Sequence, residues 1–439
     1  MDRETKETLI QIYQAAIAAV DPYISVKEYL SLDAGQLVIG GARYPLSDIM
    51  NIYVIGAGKA SYGMARAVED VLGDLITAGA VVTKDGHGGR LGRIRVLEAS
   101  HPLPDGRGVL AANRMRDMAS MAGEEDMVLC LFSGGASALM AMPAEGITLK
   151  DKQEVTQLLL ASGADIGEIN SVRKHLSAIK GGRLAESAFP ARVSTLLMSD
   201  VIGNDIGTIA SGPTAPDETS FMQVAEILKM RGVYNRLPDA AKSHLNRGCL
   251  GGIPETPKPG AEIFNRVDNI IVASNMTALE KAREVAGYMG YHALIYESTL
   301  CGEAMEAAAS LAREAIQYKK EGGLMPACLI VGGETTVTVK GKGLGGRNQE
   351  LALAFAMHTE NHPEISALFA GTDGTDGPTP AAGAFADGFT LKNSIKIGIN
   401  ASEYLSDNDS YHFFEAVDDL FTPGPTGTNV MDIGIILIK

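Results

Sequence analysis

Residues 52–61 read Ile52-Tyr53-Val54-Ile55-Gly56-Ala57-Gly58-Lys59-Ala60-Ser61: an apolar, β-prone run that stops on a glycine-rich turn and leads into a helical pattern from Met64 to Leu72. The arrangement recurs. Met127–Phe132, apolar throughout, runs into Ser133-Gly134-Gly135-Ala136-Ser137, and Val193–Met198 runs into Ser199-Asp200. Continuous apolar runs of this length suit strands covered on both faces. Short strands are also predicted at Ala80–Thr83 and Ile94–Leu97. Helices are predicted at 5–20, 109–121, 149–161, 170–187 and 219–231. Strand–helix alternation of this kind predicts a doubly wound, mostly parallel sheet.

Outward from these runs, the proline-spotted stretch Gly248–Gly260 is the best linker. Beyond it the alternation restarts with strand Ile270–Ala273, helix 276–289, strand Ala293–Tyr296, helix 303–319 and strand Cys328–Val331. Thr335–Val339 alternates and directly follows Gly332-Gly333-Glu334, so a hairpin-like antiparallel element is expected there. A helix at Asn348–His358 and strands at Ile365–Phe369 and Asp432–Ile438 follow. The expectation is two α/β domains, 1–255 and a smaller 256–439 with a mixed sheet, and an active site in the cleft between them.

The chain has 439 residues, ample for two cores. Its net charge of −15 argues against a nucleic-acid partner, which wants a basic face. No run approaches the length of a membrane span, and the charged first residues open no apolar signal core. The four cysteines form no C-x-x-C pair, which fits buried thiols and a cytoplasmic setting. The eight histidines show no paired spacing, so a zinc site is not expected. No Gly-x-Ser-x-Gly elbow supports hydrolase chemistry.

In open α/β sheets ligands bind beyond the carboxyl ends of the strands. The turns there hold the candidate residues. Gly56 and Gly58 allow close backbone approach to an anion, and Lys59 adds a positive charge suited to a phosphoryl group. The turn is neither a Walker A loop nor the dinucleotide fingerprint. Alone it is as readily a tight turn with a solvated lysine. Ser133, Gly134, Gly135 and Ser137 read as an anion nest, or as an N-cap with packing glycines. Asp200, at a strand end, could hold Mg²⁺ or accept a hydroxyl proton, and Asn204 follows it. Arg173, Ser177 and Lys180 share one face of the predicted 170–187 helix; a solvated charged face is the plainer reading. Further on, Gly333 and Glu334 follow a strand. Arg347 and Asn348 open a helix after a loop with four glycines, where an arginine could neutralise a transferring phosphoryl group. Asp373 and Asp376 lie in Gly371–Thr379, an Asp-Gly loop closing an apolar strand.

Taken in order, GAGKAS (56–61), FSGGASAL (132–139), VRKHLSAIKGGRLA (172–185), SDVIGND (199–205), ASGPTAPD (210–217), GGETTVTVKGKGLGGRNQE (332–350) and GTDGTDGPT (371–379) closely resemble the type-2 glycerate kinases, the MOFRL family. The resemblance runs over nearly the whole chain. It implies a Rossmann-like N-terminal domain, a smaller C-terminal domain, and transfer of the γ-phosphoryl group of ATP to D-glycerate with Mg²⁺, giving 2-phosphoglycerate. On it, Lys59 and Arg347 approach the transferred group, Asp200 contacts Mg²⁺ or the hydroxyl, and the other residues above bind substrate or nucleotide. A homodimer is the expected assembly, on no particular residue pattern. Two rivals remain. Some members of the family carry the name hydroxypyruvate reductase, but a nicotinamide enzyme calls for the absent dinucleotide fingerprint. A non-catalytic anion binder would need fewer polar turns.

Overall fold

The structure, a computed structural model, describes residues 1–439. Its strands and helices run in order from α1 (Arg3–Ala19), whose N-cap Asp2 accepts from the Thr5 amide at 2.9 Å. Two compact units form: Pro22–Val272, and Met1–Asp21 together with Ala273–Lys439.

The first unit opens with α2 (Pro22–Tyr29) and a small antiparallel meander of β1 (Leu30–Asp33), β2 (Gln36–Ile39) and β3 (Ala42–Pro45). The main sheet is then built from β4 (Ile52–Ala57), α3 (Ser61–Leu72), β5 (Ile76–Lys84), β6 (Ile94–Ala99), α4 (Gly106–Met121), β7 (Met127–Phe132) and β8 (Arg192–Met198). Between β7 and β8 stand α5 (Ala136–Leu139), α6 (Leu149–Ala161), α7 (Ile166–His175) and α8 (Arg183–Ala188); α9 (Phe221–Met230) and α10 (Asp239–Cys249) follow β8. The sheet is completed by β9 (Val267–Ala273), giving the order β6-β5-β4-β7-β8-β9. Strands β4 to β8 pair in parallel, with Ile52 opposite Met127 and Ala57 opposite Phe132. Every residue of β7 is buried, as a central strand covered on both faces requires. The chain winds outward through β5 and β6 on one side of β4 and through β7 and β8 on the other. The switch point therefore lies between β4 and β7, where such sheets bind ligands.

The second unit adds α11 (Asn275–Tyr288), β10 (His292–Leu300), α12 (Ala304–Lys320), β11 (Ala327–Gly333), α13 (Arg347–His358), β12 (Ile365–Gly371) and β13 (Gly383–Asp387). Three short helices, α14 (Thr390–Lys396), α15 (Ala401–Ser406) and α16 (Ser410–Ala416), precede β14 (Leu420–Phe421) and β15 (Asp432–Ile438). The sheet order is β10-β11-β15-β12-β13-β14. Only β10–β11 is parallel; β15 lies antiparallel between β11 and β12, so the sheet is mixed.

Four expectations differ from this architecture. Thr335–Val339 forms no strand: β11 is already paired on both edges, and the segment keeps only an isolated bridge from Thr336 to Glu303. The 170–187 helix is broken: α7 stops at His175, Ser177 forms an isolated bridge with Pro143, and Gly181 and Gly182, with φ of 59° and 82°, turn the chain before α8. Arg173, Ser177 and Lys180 therefore share no helix face, and the Ser177 hydroxyl donates to the Met142 carbonyl at 3.0 Å. The run at 270–273 belongs to β9, the edge strand of the first sheet. The first unit thus reaches Val272 rather than 255, and α1 is grouped with the C-terminal half. No single helix is long and apolar enough to cross a membrane.

Candidate active site

At the switch point the turns after β4 and β7 are knitted together. Gly58 has φ of 138°, and a Cβ there would fall 2.1 Å from the Ser133 hydroxyl. That hydroxyl, fully buried, accepts from the Ala60 amide at 3.0 Å, while the Lys59 amide donates to the Gly134 carbonyl at 2.9 Å. Gly56 faces β7 so closely that a Cβ would lie 2.4 Å from the Leu131 carbonyl oxygen. Gly56, Gly58 and Ser133 thus hold the turn in shape. Gly135, left-handed at φ of 83°, opens α5 and leaves room for two side chains: a Cβ there would lie 3.0 Å from His101 Nε2 and 3.4 Å from Lys59 Cγ. Asp200 joins from the end of β8. Burial raises its carboxyl, and a hydrogen bond from its own backbone and then the Lys59 charge offset only part of the rise.

The loop beyond β8 is strained. Asn204, Ala210 and Ser211 have φ of 57°, 55° and 60°. Asparagine tolerates such an angle, but alanine and serine rarely adopt it unless their surroundings hold them there. The forcing contacts are visible. The Ser211 hydroxyl bonds Ser137 at 2.8 Å and Asn170 at 3.1 Å, and the Ala210 carbonyl accepts from Lys180 Nζ at 3.1 Å.

Between α5, α6, α7 and the His101–Pro104 loop lies a cavity of about 400 Å³. Ser137, Arg173 and Lys180 line it, so the broken helix still brings the two predicted cations together. They are joined by Lys152, which sequence reasoning missed. Lys180 and Lys152 are 1% and 8% exposed, and Lys152 Nζ makes no hydrogen bond. Burial, then the neighbouring Arg173, pushes the Lys152 amine down to about 7. Lys180 is lowered well below the usual lysine range by burial and by Lys152 and Arg173. The signal was present: Lys152, Val155 and Leu159 are the buried residues of α6, at i, i+3 and i+7.

In the second unit the turn after β11 is equally tight. Gly333 has φ of 139°, and a Cβ there would meet the Leu300 backbone at 2.2 Å. Arg347, first residue of α13, is held on two sides. Its Nε and Nη2 donate to the two Asp432 oxygens at 2.5 and 2.8 Å, and its Nη1 pairs with Glu334 at 2.7 Å. Asp432, at the start of β15, is the second residue the sequence reading missed. Asp376 caps α13 from a distance, accepting from the Asn348 and Gln349 amides at 3.2 and 2.9 Å and from Gln349 Nε2 at 3.0 Å. Gly346 makes room for it; a Cβ there would touch the carboxylate at 2.3 Å. Burial and the Asp432 charge push Asp376 up to about 6. Asp373 closes its own turn, accepting from the Thr375 amide and hydroxyl. Glu334, Arg347 and Asp376 line a cavity of about 520 Å³. Lys59 and Arg347 stand in different units. No group of three or more metal-ligating side chains occurs.

A doubly wound, mostly parallel sheet whose switch point holds two interlocked glycine turns, and a mixed α/β unit in which α13 opens on an arginine pinned by two carboxylates, define the class: a two-unit α/β protein. A family model described as a domain of unknown function (DUF4147) matches residues 8–246, and the MOFRL family model matches residues 327–432. The chain is 39% identical to a glycerate 2-kinase of Pyrococcus horikoshii over 99% of this chain and 98% of the relative. An Agrobacterium vitis relative, 41% identical over 100% of this chain and 95% of its own, carries a provisional hydroxypyruvate reductase name. A crystal structure of glycerate kinase from Thermotoga maritima superposes with a TM-score of 0.87 at 38% identity, covering all of both chains. The chain belongs to the MOFRL family of type-2 glycerate kinases.

Proposed function

We propose that this chain transfers the γ-phosphoryl group of ATP to D-glycerate, giving 2-phosphoglycerate. The observation that carries the reading is the switch point, where Lys59 and Asp200 meet over two interlocked glycine turns, in a chain alike end to end to proteins named glycerate kinases. In this reaction the glycerate hydroxyl oxygen bonds to phosphorus as the bond from phosphorus to the ADP oxygen breaks. The hydroxyl proton leaves to a base. Catalysis then rests on positioning and on neutralising charge.

Asp200 suits the proton, since burial raises its carboxyl above the ordinary range. Lys59 offers a mobile positive charge to the transferring group. Arg347 offers a rigid one, because three of its five donors are taken by Asp432 and Glu334 and the others keep a fixed direction. Gly58, Ser133 and Gly135 shape the turn that receives the phosphates. Gly333, Asn348 and Asp376 hold the approach to Arg347, and Asn204 and Asp373 shape loops at the strand ends. Mg²⁺ would neutralise phosphate charge. Asp200 is the carboxylate that would hold this ion, as the alternative to taking the proton, since one carboxylate suits an ion that binds mainly water and phosphate.

ADP release coupled to D-glycerate, with NMR of the product, tests it. Lys59→Ala and Arg347→Ala should each lower kcat by about 10²–10³-fold, the usual cost of one charge-stabilising donor. Near-normal turnover in both would sink the mechanism, and steady NADH oxidation with hydroxypyruvate would favour the reductase instead.

A further inference from the structure

We infer that the cavity between α5, α6 and α7 binds the phosphate chain of the nucleoside triphosphate, with Lys152 as a binding residue beside Arg173 and Lys180. The inference rests on the kinase reading and assigns one of its two substrates to a place.

Charge comes first. Two lysines and an arginine line the cavity, three cations once a polyanion protonates both amines; no carboxylate does, and His101 is the one other ionisable group there. A monocarboxylate such as glycerate would balance one of those charges, whereas a triphosphate balances all three. Size agrees. The cavity holds about 400 Å³. Sites that bury larger organic ligands start at roughly 300 Å³, and a three-carbon acid would leave most of this space unfilled.

Lys152 supplies the independent observation. Its amine is buried, lines this cavity and makes no hydrogen bond. Burying such a group without a partner is costly, and a fold keeps it where a ligand completes it. The lowered basicity of both lysines fits the same picture, since an arriving polyanion would favour their protonated forms.

The walls also suit a nucleotide. Leu103, Pro104, Leu149 and Leu160 present apolar surface, and Gln153 and Gln157 present amides, as a base and ribose require. Gly135 also lines the cavity, and Lys59 Cγ lies 3.4 Å from where a Cβ on Gly135 would stand, so a phosphoryl group bound at that wall would be near Lys59.

The test measures binding without turnover. The full-length chain is titrated calorimetrically with Mg²⁺ and the non-hydrolysable ATP analogue AMP-PNP, with glycerate absent, and KM for glycerate is measured separately at saturating ATP. Lys152→Met should raise the analogue's Kd at least about tenfold and leave KM for glycerate within about threefold. Leu160→Glu, at a position 60% exposed and therefore tolerant of change, puts a carboxylate on the wall and should act in the same direction. It decides the matter if the Met variant does not fold. A raised KM for glycerate with unchanged analogue affinity would overturn the assignment in favour of the acid, and no change in either would remove the cavity from substrate binding. A wild-type chain that binds the analogue with this dependence yet makes no ADP with glycerate would sink the kinase reading and leave the cavity's ligand intact.

Discussion

Replacing Asp432 with asparagine isolates the anchor of Arg347. The carboxylate takes Nε at 2.5 Å and Nη2 at 2.8 Å. This is the forked geometry of the stronger charge-assisted pairs. Two limits bracket the loss. Breaking a fully buried pair costs roughly 3–5 kcal/mol, and an exposed one roughly 0–1 kcal/mol. Asp432 is 7% exposed, but the Arg347 side chain is 34% exposed and keeps Glu334 at 2.7 Å. The expected cost is therefore about 2 kcal/mol, in the range for hydrogen bonds to charged groups. Asparagine preserves volume, so no cavity adds to it. In a unit of this size the midpoint of thermal unfolding should fall by about 4–8 °C, read by calorimetry on both proteins at one pH. Activity should fall further, by at least about tenfold in kcat, because an arginine free to turn no longer meets the phosphoryl group in one orientation. A midpoint shift under about 1 °C with kcat within about twofold would refute the reasoning and class the fork with inconsequential surface pairs.

Asp376→Asn should change the pH dependence of stability. The folded carboxyl titrates at about 6 against 3.8 for an ordinary aspartate. The folded state therefore binds the extra proton between those values, and stability falls as pH rises from about 4 to about 6. The wild-type melting temperature minus that of the variant should decline across this window and level off above it; a flat difference would contradict the assignment. Gly58→Ala forces a Cβ to 2.1 Å from the Ser133 hydroxyl at a φ few side chains adopt. A loss of roughly 1–3 kcal/mol from backbone strain alone, with kcat lowered, is expected by calorimetry and the coupled assay, and an unperturbed variant would show that the turn is not rigid. Gly346→Ala should weaken the Asp376 cap of α13 and lower kcat along with stability, whereas full activity would separate the cap from the arginine it precedes.

The first sheet was legible because β7 is apolar and buried at every position, the pattern of a strand covered on both faces. Turn positions at strand ends were legible for the same reason. Other features depend on contacts no local pattern encodes. Alternation at Thr335–Val339 describes what a strand there could bury, not whether β11 has a free edge, and β15, at the far end of the chain, takes that edge. The 170–187 periodicity ran straight past His175, where α7 ends, and through Gly181-Gly182, whose left-handed conformations separate α7 from α8. Lys152 sat in plain view on the apolar face of α6 but reads as a solvated lysine until α7 and Lys180 close over it. Asp432 opens a strand, and its partner Arg347 lies 85 positions away.

The grouping of α1 with the C-terminal half bears on how the chain is made. Leu9, Ile12, Tyr13 and Ala16 form the buried side of α1, and Tyr13 donates to the Gly371 carbonyl at 2.8 Å. On the ribosome this helix leaves the exit tunnel well before its partner, since Gly371 is translated 358 positions after Tyr13. At roughly 5–20 residues per second, its apolar side waits from tens of seconds to about a minute for its partners. Pro22–Val272 can condense in that interval. Helix α1 should therefore be a preferred client of nascent-chain chaperones, and the second unit should complete its fold only once β15 has been made.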